Sequence, residues 1–162
     1  MTFKSWSDQL EDKKQTILEK LKGKTVTEIV DYFDYDNMVE NEPDYCVLYK
    51  NKSKCHDIKE LNCFFCGCPY FQYSDDKPLK KENDIDIMSV CAIDSKFAKQ
   101  YTFGEKAQCD CSDCVVPHKK HFVKNYISTS VLNMYKFEDT CSLLECIRAY
   151  QLNDILGKYK IF

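Results

Sequence analysis

Two short blocks of the chain concentrate residues that bind metal ions. They hold seven of the eleven cysteines and two of the three histidines. The first block reads CHDIKELNCFFCGCPYF over residues 55–71, and the second reads CDCSDCVVPH over residues 109–118. Thiol and imidazole groups at this density are typical of zinc and iron–sulfur proteins. The sequence therefore favours metal binding as its chemistry, and the rest of the chain must hold the two blocks together.

Each block contains one C-x2-C pair, Cys63 with Cys66 and Cys111 with Cys114. A C-x2-C turn places two sulfurs on one side of a tight loop. Two such turns that face each other would form a tetrahedral four-thiolate site, with metal–sulfur distances of about 2.3 Å. We expect all four cysteines to be ligands. Their pairing in one site is an inference, because the two pairs lie further apart than in a zinc ribbon.

Further cysteines and histidines surround these pairs. Cys66 and Cys68 flank Gly67, so a turn at the glycine would point the two sulfurs toward different metals. Cys109 and Cys111 repeat this spacing. The candidate ligands are Cys46, Cys55, His56, Cys63, Cys66, Cys68, Cys91, Cys109, Cys111, Cys114 and His118. They suffice for two four-coordinate sites. A plain buried thiol is an equal alternative for Cys46, Cys55 or Cys109, and we expect one ligand from the adjacent Cys55 and His56.

Two kinds of metal centre fit this ligand set. Mixed cysteine and histidine ligation with C-x2-C turns favours zinc, with about two ions per chain. Tightly spaced cysteines and the proline after Cys68 also suit an iron–sulfur cluster. If metal binding supplies folding energy, residues 46–118 should be largely unfolded without it.

Composition predicts a folded protein of the cytoplasm. A hydrophobic content of 44%, with ten Phe and eleven Tyr, is enough to build a core, and a net charge of −3 argues against a general polyanion binder. The first 23 residues lack a continuous apolar segment. No run reaches the roughly 18 apolar residues that a membrane span needs. Thiols in the cytoplasm are kept reduced, and they bind metal more often than they form disulfides.

Helices are predicted on both sides of the cysteine-rich part. Apolar residues at helical spacing, among them Trp6, predict a first helix over residues 7–22 with Gly23 at its end. The sequence T-V-T-E at 25–28 is a capping box that would begin a second helix continuing toward Met38. Another capping box at 142–145 would begin a C-terminal helix, beside Cys141 and Cys146 as plain buried thiols.

Between these helices the helical periodicity disappears. We expect short strands at 45–49 and 87–93 and an exposed charged loop at 74–86. The fold class is therefore α+β, with a small irregular cysteine-rich core between N- and C-terminal helices. The predicted parts are an N-terminal arm (1–42), a metal-binding core (43–124) and a C-terminal extension (125–162), packed as one unit.

The ordered combination of both blocks resembles the cysteine-rich small domain family. In that family an N-C-x-x-C-x-C-P block, here residues 62–69, precedes a D-C-x-x-C-x-x-P-H block, here residues 110–118. The resemblance covers about residues 44–124 and implies a small prokaryotic domain with metal-binding cysteines and no established reaction. Some members of the family occur beside or fused to cobalamin-pathway proteins. The chain departs from the family where Ala92 and Ile93, instead of two glycines, follow Cys91.

Three functions are compatible with these features. The first is a binding module with structural metals, which would meet an acidic protein or single-stranded nucleic acid through Lys119, Lys120, His121, Phe122, Lys124 and Tyr126. A solvated surface is the alternative for that stretch. The second is a metalloenzyme or redox protein with an open metal position and Asp57, Glu60 or Asp113 as general base. The third is metal storage or delivery. Phosphate-binding, nucleophile-elbow and H-E-x-x-H motifs are absent from the sequence.

Overall fold

Helices and short strands form the α+β fold that the sequence predicts, with a helix at each end of the described chain. The computed structural model describes residues 2–93 and 95–134. The helices are α1 (Phe3–Lys20), α2 (Val26–Tyr32), α3 (Tyr35–Asn41) and α4 (Lys120–Met134), with 3-10 turns at Val47–Asn51 and Val116–His118. The strands are β1 (Phe71–Tyr73), β2 (Lys80–Glu82), β3 (Ile85–Ile87), β4 (Ser89–Cys91), β5 (Lys99–Phe103) and β6 (Lys106–Asp110).

Helix α1 begins four residues earlier than predicted, because Thr2 caps it by accepting a hydrogen bond from the Ser5 amide at 3.1 Å. Gly23 has the expected positive φ of +85° just beyond the helix. Leu10, Ile17 and Leu21 are buried, as their spacing predicts. Trp6, on the same predicted face, remains 37% exposed.

The predicted second helix is two helices. Its capping box is confirmed, since the Thr25 hydroxyl accepts from the Glu28 amide while the Glu28 carboxylate accepts from the Thr25 amide. The helix nevertheless ends at Tyr32, because the backbone of the next residues pairs with a distant segment. The Phe33 carbonyl accepts from the Cys63 amide at 2.7 Å, and Asp34 forms a β-bridge with Asn62.

Two other local predictions are wrong. The expected strand at 45–49 is the 3-10 turn Val47–Asn51, held by local bonds such as that from the Tyr49 amide to the Cys46 carbonyl. The expected loop at 74–86 contains β2 and the first residues of β3. All three side chains of β2 are exposed, so its charged sequence is compatible with an edge strand.

The strands form two small sheets. Strand β1 pairs antiparallel with β4, and the larger sheet has the order β2-β3-β6-β5. The predicted strand at 87–93 corresponds to β4 and the end of β3. The Ser89 hydroxyl links the sheets, because it accepts from the Cys109 amide at 2.7 Å. This bond holds the end of β6 beside β4, and thus Cys109 near Cys91.

The main core joins the helices to the first cysteine block. Phe64 and Phe65, the two residues inside the first C-x2-C pair, are both fully buried. Phe64 packs edge-on against Phe33 of the α2–α3 junction at 5.0 Å between centroids, and Phe65 packs against Tyr126 of α4 at 4.8 Å. The core therefore crosses the predicted boundaries at residues 42 and 124, and it fixes the backbone that carries Cys63 and Cys66.

The remaining C-terminal predictions lie outside the described residues: the capping box at 142–145, its helix, Cys141 and Cys146. Within the described ranges, no helix combines the length and the apolar character that crossing a membrane requires.

Candidate metal centre

Cys55, His56 and His118 form a group that could hold a metal ion. One ligand atom from each side chain lies within 4.8 Å of the other two. Over residues 2–93 and 95–134, this is the one set of three or more Cys, His, Asp or Glu side chains that meets this distance. We expected one ligand from the Cys55–His56 pair, whereas the structure brings both residues to the same place.

The orientation of His118 suits metal binding. Its Nδ1 atom lies 3.2 Å from the backbone carbonyl oxygen of Asn62, and a proton on Nδ1 would leave Nε2 free as a ligand. The amide of Asn62 donates in return to the carbonyl of His118 at 2.9 Å. Burial, reinforced by His56, lowers the pKa of His118 to about 4, so the imidazole is neutral at pH 7. These bonds connect the first cysteine block directly to the end of the second.

His56 lies against His118, with ring centroids 4.6 Å apart. Its Nδ1 atom is 3.2 Å from the Cys55 sulfur. Its Nε2 atom is buried and has no hydrogen-bond partner among the described residues. Burial lowers the pKa of His56, which favours the neutral ring. The Ser112 backbone lies close enough to His56 to act against this shift, although Nε2 makes no hydrogen bond of good geometry within the described residues. The Nε2 atom could therefore serve as a metal ligand.

Four thiols line a small internal cavity of about 30 Å³, beside His118. They belong to Cys46, Cys55, Cys63 and Cys66. A hydrogen bond with Cys66 lowers the pKa of Cys46 to about 6, while the same bond and burial raise that of Cys66. Burial raises the pKa of Cys63 to about 12. We call this cavity, with its four thiols, the inner set.

Five thiols line a larger cleft of about 310 Å³, beside His56 and His118. They belong to Cys68, Cys91, Cys109, Cys111 and Cys114, which we call the outer set. The sulfurs of Cys109 and Cys111 are 3.5 Å apart. Burial raises the pKa of Cys68 to about 11. None of the nine described cysteines forms a disulfide.

Gly67 separates the inner set from the outer set. Its φ of +70° turns the chain, so that Cys66 lines the inner cavity and Cys68 lines the cleft. Cys109 and Cys111 have the same spacing but follow the extended path at the end of β6, where side chains at i and i+2 share a face. The same spacing therefore places Cys66 and Cys68 in different cavities but Cys109 and Cys111 in the same one, because the backbone between the two thiols differs.

The structure contradicts the expected facing of the two C-x2-C pairs. Cys63 and Cys66 line the inner cavity, whereas Cys111 and Cys114 line the cleft. The reason is the turn at Gly67, which presents Cys68 and not Cys66 to the second block. All eleven predicted candidates nonetheless line one of the two cavities. Their ligation of metal stays a prediction.

Sequence reasoning missed two residues that support the inner set. Tyr49 is 5% exposed, and its hydroxyl lacks a hydrogen-bond partner of good geometry among the described residues. That hydroxyl lies close enough to Cys63 to lower the pKa of the thiol, against the larger effect of burial. Asn62 is fully buried, and its side chain donates to the Val30 carbonyl at 2.7 Å. The signals that could have drawn attention to Asn62 were its position beside Cys63 and its place at the start of the N-C-x-x-C-x-C-P block.

The basic and aromatic side chains predicted to share a surface at 119–126 do not form one exposed surface. Lys120 pairs with Asp31 at 2.9 Å and with Asp34 at 2.6 Å, which raises its pKa. Phe122 and Tyr126 pack into the core instead of facing solvent. Lys119, His121 and Lys124 remain exposed without these rings beside them. This placement does not favour base stacking on α4.

The acids proposed as general bases lie at the surface. Asp57 and Glu60 are exposed and line neither cavity. Asp113 is exposed and pairs with Lys99 at 2.6 Å. Their positions give no support to a catalytic role.

Comparison of the chain with protein-family models, with curated proteins and with solved structures gave no match in any of the three, so the resemblance to the cysteine-rich small domain family stays a prediction.

Proposed function

We propose that the protein binds two zinc ions, one in each thiol set, and that these ions are structural elements of an interaction module. The observation that carries this proposal is the division of the eleven candidate ligands between two cavities. Each set offers at least four thiols, which is the number that a closed tetrahedral zinc site uses. Sulfurs in such a site lie about 3.8 Å apart, so zinc would draw together thiols that now lie close in pairs.

The inner ion would be held by Cys46, Cys55, Cys63 and Cys66. Four thiolates around Zn²⁺ carry a net negative charge, which burial makes costly. The surroundings offset part of it, since Lys13 and the Leu48 amide both favour the thiolate form of Cys46. The Tyr49 hydroxyl acts in the same direction on Cys63. These groups offset part of the cost of the thiolate charge. Burial still raises the pKa values of Cys55 and Cys63, and the hydrogen bond with Cys46 together with burial raises that of Cys66. The metal ion itself would have to supply the remaining stabilisation.

The outer ion would join separate segments of the chain. Cys68 follows the Gly67 turn, Cys91 ends β4, and Cys111 and Cys114 follow β6. A zinc ion shared by these thiols would cross-link both sheets to the first cysteine block. Cys109 would remain as a fifth thiol close to the ion.

His118 lines both cavities and His56 lines the cleft, so the histidines form part of the wall between the two sets. The Cys55–His56–His118 group could complete either site if a thiol is displaced. Mixed cysteine and histidine donors of this kind favour zinc over an iron–sulfur cluster. The five thiols of the outer set are the feature that would suit a cluster instead.

Metal analysis of matched variants tests the proposal. Anaerobically purified protein should contain two zinc ions. The double variants Cys63→Ser/Cys66→Ser and Cys68→Ser/Cys111→Ser should each contain one, because each leaves one set with too few thiols for a closed four-thiolate site. Cys141→Ser, at a cysteine that the sequence predicts to be a plain buried thiol, is the control and should keep two. A variant that loses both ions, or neither, would contradict the division between cavities. Stoichiometric iron and sulfide, with absorbance at about 400 nm, would show that the protein binds an iron–sulfur cluster instead of zinc.

A further inference from the structure

The outer cleft has an aromatic wall that metal binding does not explain. Phe3 and Trp6 of α1 and Phe71 of β1 line it together with the thiols. The Phe3 ring is 5.6 Å from Trp6 and 5.5 Å from Phe71, measured between centroids. Trp6 stays 37% exposed although it lies on the apolar face of its helix. A volume of about 310 Å³ is enough for a small molecule.

The charges around the cleft select the kind of molecule. Asp110 lines it, and no Lys or Arg is among the described residues that do so. Hydrogen bonds from Ser112 lower the pKa of Asp110, and the Lys99 ammonium group, which lies outside this lining, is close enough to lower it further. The Asp110 carboxylate is held by the Ser112 amide at 2.8 Å and by the Ser112 hydroxyl at 2.5 Å. Four thiolates around a zinc ion would add a net charge of about −2 at the floor. The cleft is thus suited to positive charge and unfavourable to an anion.

We propose that the outer cleft binds a small organic cation of the methylated-ammonium class. Aromatic ring faces attract such cations, and their methyl groups pack on the rings. Asp110 and the metal–thiolate floor supply the opposite charge. The negative charge of the metal–thiolate group rests on the proposed outer zinc site. The aromatic wall and Asp110 are present without it. An ordinary ammonium group would lose more hydration on entry, so the alkylated head group is preferred.

The chain contains a single tryptophan, so its fluorescence reports on this cleft alone. The experiment titrates metal-loaded protein with choline and with its uncharged analogue 3,3-dimethyl-1-butanol at equal ionic strength. We expect a saturable change in Trp6 emission with choline and at least about tenfold weaker binding of the alcohol. Phe71→Ala should weaken choline binding by a similar factor. Phe97→Ala removes an exposed phenylalanine outside the cleft and should leave binding unchanged.

Metal content, measured on the same samples, separates this inference from the proposed function. Two bound ions together with equal responses to choline and the alcohol would overturn the cation site and leave the metal sites intact. An unchanged affinity of Phe71→Ala for choline would also overturn the cation site. If the protein purifies without zinc and still binds choline, the missing zinc contradicts the metal proposal while the choline binding supports the cation site. Asp110→Asn, with its metal content verified, should weaken choline and leave the alcohol unaffected.

Discussion

Replacing Gly67 with alanine tests whether this turn sets the division of the thiols. An alanine at a φ of +70° costs about 1–2 kcal/mol, because its Cβ approaches the following carbonyl oxygen. That Cβ would also lie 3.1 Å from the Leu10 Cδ1 atom and 3.6 Å from the ring of Trp6. Leu10 is buried in the core, so its side chain must move by a few tenths of an ångström against its neighbours, at a further cost of about 1 kcal/mol. We expect Gly67→Ala to lower the free energy of unfolding by about 2–3 kcal/mol and to reduce bound metal.

Two other glycines provide matched controls for this substitution. Gly23 and Gly104 have φ values of +85° and +59°, and a Cβ at either would meet no atom within 4 Å. Alanine at these positions should cost the backbone strain alone, about 1–2 kcal/mol, and leave the metal content at its original value. Urea denaturation of the three variants, with metal analysis, measures the difference. A Gly67→Ala variant that costs no more than Gly23→Ala and retains all bound metal would show that this turn does not set the division of the thiols.

Three further substitutions test the supporting contacts. Asn62→Ala should destabilise the protein by about 3 kcal/mol in urea, because it leaves the Val30 carbonyl and the Phe64 amide unpaired; a loss below about 1 kcal/mol would contradict this role. Lys120→Met should cost about 1 kcal/mol, less at high salt, whereas Lys119→Met should have almost no effect; equal losses would count against the ion pairs. Tyr49→Phe should weaken zinc binding about fivefold in chelator competition, and unchanged affinity would exclude its hydroxyl as a partner of the inner site.

The candidate ligands could be chosen from sequence because ligand chemistry is local. Thiols and imidazoles at short spacing are recognisable as candidate metal ligands from residue type alone. All eleven candidate ligands line one of the two cavities. Their grouping could not be predicted with the same success. It depends on the backbone conformation at Gly67, which the sequence suggested, and on the approach of Cys46 and Cys91 from elsewhere in the chain. Cys111 and Cys114 share a cavity with Cys68 because of tertiary packing between distant segments of the chain.

The same distinction explains the fold. The capping box at Thr25 and the buried face of α1 depend on neighbours within a few residues, and the sequence predicts both. The break between α2 and α3 depends on pairing of Asp34 with Asn62, which lies 28 residues away in the chain. Strand β2 has no alternation of apolar residues because all its side chains are exposed, so its pattern is that of a loop.

The distribution of buried residues predicts that the two proposed metal sites would contribute unequally to folding. The main core runs from Leu10 to Ile127 and includes no residue of the six strands. Buried side chains in the strand region are confined to residues 87–89 and Ala107 of the described chain. If both ions are bound as proposed, the helices should persist without metal, whereas the strands should depend on the outer ion. The sequence-based expectation that all of 46–118 unfolds without metal would then be narrowed to the strand region. Hydrogen exchange after chelation should show rapid exchange in β3–β6 with α1 and α4 still protected. Equal loss of protection in helices and strands would show that the inner ion is essential for the helical core.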